Sequence, residues 1–264
     1  MSNTHPIRRL ALTASLLFLA AFPAQASAQG YYGPFPPAED YGPGITVSGA
    51  GWAPLGHRDR ATARAVGDAR RRAEAIAAAL GVSSGEARYI ELNRPFEPRP
   101  ECGNRTTRRC APMDAVSAVV TFAIAGGPTS DEDAREVEGT GTAASRIEVE
   151  RQTSPAIRHA IRATRLEITP EAARTARANA ESAGRAAGIQ LGPLFSAVEP
   201  STAAFGYDPL LGSFGPGQFC GTIRRVITRR DPDTGGFRIV GRKRVRRCYK
   251  PSPAVRLDVT YLGA

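Results

Sequence analysis

The sequence predicts an α+β fold of two β-α-β-β repeats, with the helices covering one face of a mainly antiparallel sheet. Three observations predict it. An Ala/Arg-rich helical pattern that ends in Gly and runs into a strand is written twice, over 65–90 (AVGDARRRAEAIAAALGVSSGEARYI) and 172–197 (AARTARANAESAGRAAGIQLGPLFSA). With Gly81 laid on Gly188, Ala69 falls on Ala176, Arg70 on Arg177, Ala73 on Ala180, Glu74 on Glu181 and Gly85 on Gly192, without a gap. A V-x-G-x-G segment precedes each copy, at Val47–Gly51 and Val137–Gly141, and each copy closes on a strand, since AVSAVVTF from Ala115 matches AVRLDVTY from Ala254.

The first 28 residues are expected to be a signal peptide. Arg8 and Arg9 precede an apolar run from Leu10 to Phe22, then Pro23 and the small-residue stretch Ala24-Gln25-Ala26-Ser27-Ala28. The run is shorter than the roughly 20 residues a spanning helix needs, and no Cys follows it to carry a lipid. The expected product is exported, periplasmic or secreted. Residues 29–43 (QGYYGPFPPAEDYGP) read as a disordered Gly/Pro/Tyr-rich leader. The first repeat spans 44–126, a polar linker 127–134, and the second repeat 135–264.

Ile45–Gly49 reads as a strand, and so does Val137–Gly141. A phosphate loop would need a third glycine, but Pro54 stands there in the first copy. The glycines are read instead as marking a bulge or a close backbone approach. The first helix is expected from near His57–Asp59 to Leu80. Ala65, Val66, Ala69, Ala73, Ile76 and Leu80 form its apolar stripe, and Gly81 its C-terminal cap. Arg64, Asp68, Arg71, Arg72 and Glu74 are expected off that stripe. Glu86–Asn93 and Ala115–Ile124 follow as strands. In the second repeat Arg146–Glu150 reads as a strand, Ser154-Pro155 as the start of a short helix, and Thr169-Pro170-Glu171 as the start of the main one, ending at Gly188. Leu191–Glu199 is a strand, Pro200–Gln218 a loop, and Ala254–Leu262 the last strand.

In an oxidising compartment four cysteines imply two disulfides. Cys102 and Cys110 flank a short loop. Cys220 and Cys248 are about equally far from Asp231-Pro232-Asp233-Thr234-Gly235-Gly236, the strongest turn signal in the chain. The expected pairs are Cys102–Cys110 and Cys220–Cys248, closing loops of a size that stabilises by roughly 2.6 and 3.6 kcal/mol on a chain-entropy model. Zinc is the alternative, disfavoured by the missing C-x2-C spacing and the scarcity of His. No metal or other cofactor is expected.

These residues resemble the SIMPL-domain family, exported bacterial proteins of obscure function that include periplasmic and outer-membrane immunogenic antigens. The resemblance rests on V-x-G-x-G at Val47–Gly51 and on A-R-x-x-A-E-x-x-A-x-x-x-G, which stands here from Ala69 to Gly81. The second copy keeps that pattern except that Gly184 replaces the third alanine. The resemblance implies ferredoxin-like α+β units and brings no catalytic residues. Two features depart from it: the motif half occurs twice, and it carries cysteine-closed loops.

No Ser/His/Asp or Cys/His set has a recognisable context, and beyond the signal segment only His57 and His159 remain. An enzyme is not expected; a cryptic hydrolase or stress-protection enzyme is the outlying alternative. Charge is the sharper signal. The hairpin 220–248 and its flank carry Arg224, Arg225, Arg229, Arg230, Arg238, Arg242, Lys243, Arg244, Arg246, Arg247 and Lys250 against Asp231 and Asp233 alone. That surplus of nine nearly equals the +10 of the whole chain, so the rest is close to neutral. Arginine suits bidentate capture of phosphate or carboxylate. The partners in reach of an exported protein are lipid headgroups, lipopolysaccharide, wall polymer or an acidic protein; physiological nucleic acid is not expected. Two other readings stand beside anion binding: a merely solvated edge, and a structural module that homo-oligomerises through its sheet edges.

Overall fold

The computed structural model describes residues 42–93, 113–128, 135–200 and 211–263. The signal segment, the leader up to residue 41, most of the linker and the Cys102–Cys110 loop lie outside these residues.

The first half runs β1 (Gly44–Pro54), α1 (Arg58–Leu80), β2 (Ser84–Asn93) and β3 (Met113–Ile124). The alanine stripe is the buried face of α1: Ala61, Ala65, Ala69, Ala73, Ile76 and Leu80 are all buried. Gly81 ends the helix at φ 78°, and the Val82 amide donates to the Ala77 carbonyl at 2.9 Å. No basic residue occupies the last turn of α1. Arg177, far along the chain, supplies the missing donor, with Nη1 3.3 Å from the Leu80 carbonyl.

The second half runs β4 (Glu136–Ala144), α2 (Ser154–Ala187) and β5 (Leu191–Val198). A short pair follows, β6 (Leu211–Gly212) with β7 (Gly215–Pro216), then a long one, β8 (Cys220–Arg230) with β9 (Phe237–Cys248), and then β10 (Ala254–Gly263). Three expectations are corrected here. Arg146–Glu150 is not a strand: pairing stops at Ala144 on β10's first residue, Ala254, and the chain turns away to α2. The two expected helices are one. α2 passes through Pro170 because a single buried face, from Ile157 and Ile161 to Ile168, Ala172 and Ala176, outweighs the one backbone bond that proline removes. There the Thr169 hydroxyl donates to the Arg165 carbonyl at 2.6 Å. Finally, the region read as a loop over 200–218 contains the β6–β7 pair.

Six strands form one sheet in the order β2-β3-β1-β5-β10-β4. All neighbours are antiparallel except β1 and β5, which meet in a parallel seam of three residue pairs, Gly44 with Ser196, Ile45 with Ala197 and Thr46 with Val198. Each half follows the same path: its last strand lies between its second and its first. Both helices pack on the sheet, and one core cluster takes residues from both halves, Val47 and Phe122 as well as Val137 and Leu257.

The V-x-G-x-G glycines explain how alanine-rich helices build a core. A Cβ on Gly51 would lie 2.0 Å from the Ala61 carbonyl oxygen, and one on Gly141 2.0 Å from that of Ala172. Gly49 and Gly139 face Ala65 and Ala176 as tightly. Backbone touches backbone, so small side chains suffice. The halves are not superposable in detail. Measured from the capping Gly81 and Gly188, the second helix meets its glycines one turn nearer its end: Ala65 faces Gly49, whereas Ala176, the counterpart of Ala69, faces Gly139.

Candidate functional site

β8 and β9 leave the sheet as a separate two-stranded ribbon. Its base is anchored by the Cys220–Cys248 disulfide. The amides of Phe219 and Cys220 both donate to the Ser154 hydroxyl at 3.0 Å, and Phe219 packs with Ile147, Ile157 and Ile161 in a small core of its own. At the far end the Asp231 amide donates to the Gly236 carbonyl at 2.7 Å, with Gly235 at φ 68°. The pairing read from the cysteines and the turn is the observed one: Cys220 faces Cys248 and Arg230 faces Phe237.

The register stacks like charge on like charge. Arg224 faces Arg244, Arg225 faces Lys243, and Arg229 faces Arg238. Arg246, Arg247 and Arg242 face Thr222, Gly221 and Val226. The structure thus brings together all nine residues expected to bind anions, spread over both faces of an exposed ribbon. Among the described residues, none of these cations has a carboxylate within ion-pair reach. Like charges directly opposite one another across strands are destabilising, so the free ribbon carries a repulsion that a bound polyanion would remove.

Sequence reasoning missed a second polar cluster. Arg72 and Asp68, expected off the helical stripe, are buried at 1% and 4% exposure. The Glu199 carboxylate, just past β5, pairs with both Arg72 of α1 and Arg165 of α2, the latter at 2.8 Å. Arg72 Nη1 donates to the Ser48 carbonyl at 2.6 Å, and the Glu199 amide donates to the Thr46 carbonyl at 2.8 Å. Burial, and then the neighbouring Arg165, pull Arg72 below the ordinary arginine range, while Glu199 works the other way. The signal was there to read: Arg72 sits at the three- and four-residue steps between Ala69 and Ile76, inside the stripe. Its partner could not be read, because Glu199 lies far away in sequence.

A second arginine pair in the body flanks Trp52. The guanidiniums of Arg158 and Arg162 lie 5.7 and 5.8 Å from its ring centroid, and burial followed by the charge of Arg162 lowers Arg158 to about 10. Arg158 also donates to the Gly217 carbonyl, tying α2 to the segment that leads into the ribbon. The Arg72–Glu199–Arg165 cluster is enclosed, and Arg158 beside Trp52 is buried while Arg162 is half-buried. The ribbon is where exposed cations stand closest together among the described residues.

Together these features define an α+β protein with two helices on a large mainly antiparallel sheet and a basic, disulfide-closed ribbon. Residues 42–152 match the SIMPL family model, described as a protein of unknown function (DUF541). The match bears out the resemblance read from Val47–Gly51 and Ala69–Gly81, and it extends through β4 to the approach of α2. No curated protein and no solved structure matches the chain.

Proposed function

We propose that this is an exported, non-enzymatic envelope protein of SIMPL type whose β8–β9 ribbon binds an anionic envelope component. The observation that carries the reading is the facing of cation on cation at Arg224–Arg244, Arg225–Lys243 and Arg229–Arg238, without counter-charge among the described residues. A merely solvated edge needs charge only to block strand-to-strand aggregation and gains nothing further from stacking cation on cation, whereas a polyanion threaded along the ribbon neutralises each pair. The basic start, apolar run and small-residue end of residues 1–28 support export, as does the Cys220–Cys248 bridge. A non-enzymatic role is supported by the enclosure of Glu199, with Arg72 and Arg165 against it.

The test is binding to inorganic polyphosphate and to vesicles of equal parts phosphatidylglycerol and phosphatidylcholine, across a salt series. The wild type is expected to bind at low salt and to weaken steeply as salt rises. Arg242, Arg244, Arg246 and Arg247 changed together to Ser should lose at least about tenfold. No binding to either probe at low salt would overturn the reading.

A second reading, self-assembly through sheet edges, is favoured by the strand order. Inside the chain the seam joins the first strand of one half to the second strand of the other. The unpaired edges are β4 and β2, again a first and a second strand, and β2 exposes Ile90 and Leu92. Edge joining between copies would repeat the seam. It would persist at high salt, where the ribbon's anion binding is lost, so sedimentation over the same salt series separates the two readings.

A further inference from the structure

Anion binding accounts for the arginines of the ribbon but not for its exposed apolar residues. Phe237 is 76% exposed, Ile239 62% and Val226 42%. Phe237 faces Arg230, Ile239 faces Thr228 and Val226 faces Arg242, so these three side chains occupy one face of the ribbon in its outer half. Val240 is left without a rung where the register shifts between Ile227 and Thr228, and it too is exposed. On the same face, by the same alternation, stand Arg224, Arg230, Arg242, Arg244 and Arg246. An apolar patch bordered by arginine stems, and left exposed by the other described residues, matches an interface that is anionic at its surface and apolar just beneath.

We propose that the ribbon docks flat on an anionic lipid bilayer through this face, with Phe237, Ile239 and Val226 entering the headgroup–acyl boundary and the five arginines on lipid phosphates. The inference rests on the anion-binding reading and narrows it to a lipid surface. A soluble polyanion is hydrated throughout and leaves Phe237 in water. Arginine and the aliphatic stems beside it suit the boundary, where charge stays at the surface while the apolar part sinks. The turn fixes the orientation. Asp231 and Asp233 sit at the tip, the Asp231 carboxylate accepting from the Asp233 amide at 3.0 Å, and two acids there oppose end-on insertion. Lying flat keeps them at the water side. The other face carries Arg225, Arg229, Arg238, Lys243 and Arg247 with the less exposed Ile223 and Ile227, at 36% and 40% against 76% for Phe237, and is left for counter-ions or a second anionic surface.

The test compares the oxidised wild-type chain with Phe237→Ser/Ile239→Ser, every other segment being shared. Both substituted residues are exposed and outside the core clusters, so the fold should be unchanged by circular dichroism. On equimolar phosphatidylglycerol/phosphatidylcholine vesicles the double variant is expected to bind about tenfold more weakly or worse, as follows from returning a phenylalanine and an isoleucine to water. On inorganic polyphosphate it should match the wild type within about twofold. A single Phe237→Trp change should give a blue shift on the same vesicles and none with polyphosphate, against the constant background of the buried Trp52. Equal vesicle binding by wild type and double variant would overturn the lipid-surface proposal while leaving anion binding intact. So would polyphosphate binding by a wild type that ignores vesicles. A wild type that binds neither overturns both.

Discussion

Glu199→Gln is expected to lower folding stability by about 3–5 kcal/mol, the cost of leaving buried charge without its partner. The substitution keeps the shape of the side chain and removes only its charge. Arg72 and Arg165 would then face each other in the interior with no anion between them, and Arg72 is already penalised by burial and by Arg165. The cluster has little slack, because Arg72 Nε, Arg165 Nε and Glu199 Oε2 have no hydrogen-bond partner among the described residues. The measurement is the urea midpoint at constant m-value. A loss below about 1 kcal/mol would show instead the energetics of a solvated pair.

Gly51→Ala and Gly141→Ala should each cost more than the roughly 1–3 kcal/mol of ordinary overpacking. The added Cβ meets a main-chain carbonyl 2.0 Å away, and relief requires the whole helix to lift from its strand. Gly67→Ala provides the contrast. It lies within α1, and its nearest neighbour to a new Cβ is the Arg71 guanidinium at 3.9 Å. It should raise stability by about 0.5–1 kcal/mol through the lost freedom of the unfolded chain. The same denaturation experiment reads all three. If Gly51→Ala and Gly67→Ala behaved alike, the close contact would have no energetic consequence.

Much of this was legible because its causes are local. Helix ends follow from Gly81 and Gly188, strand faces from alternation at Val255, Leu257, Val259 and Tyr261, and the ribbon's register from the spacing of Cys220, Cys248 and the turn between them. What escaped was decided at a distance. Pro170 halts a helix only where no continuous face holds the two sides together, and α2 has that face. Residues 146–150 alternate like a strand, but β10 pairs with β4 only as far as Ala144. The spacing of Arg72 put it inside the stripe, but the partners that make its burial possible, Glu199 and Arg165, arrive from elsewhere in the chain. The parallel seam between β1 and β5 has no counterpart within either half, so neither half could announce it. The ribbon's arginines, by contrast, were found easily, since composition alone marks them.

The one-turn slip between the helices has a consequence for how such a chain can change. A glycine notch accepts any small residue of the alanine stripe, and stripe positions recur only once per turn. Docking is therefore graduated in steps of about 6 Å, four residues of helix. Ala65 against Gly49 and Ala176 against Gly139 are two settings of one scale. A helix mounted this way can be lengthened or re-seated by whole turns, keeping its backbone contact, whereas one residue more or less would swing a different face onto the notch. Length variation in this architecture is tolerated as a ratchet tolerates motion, click by click.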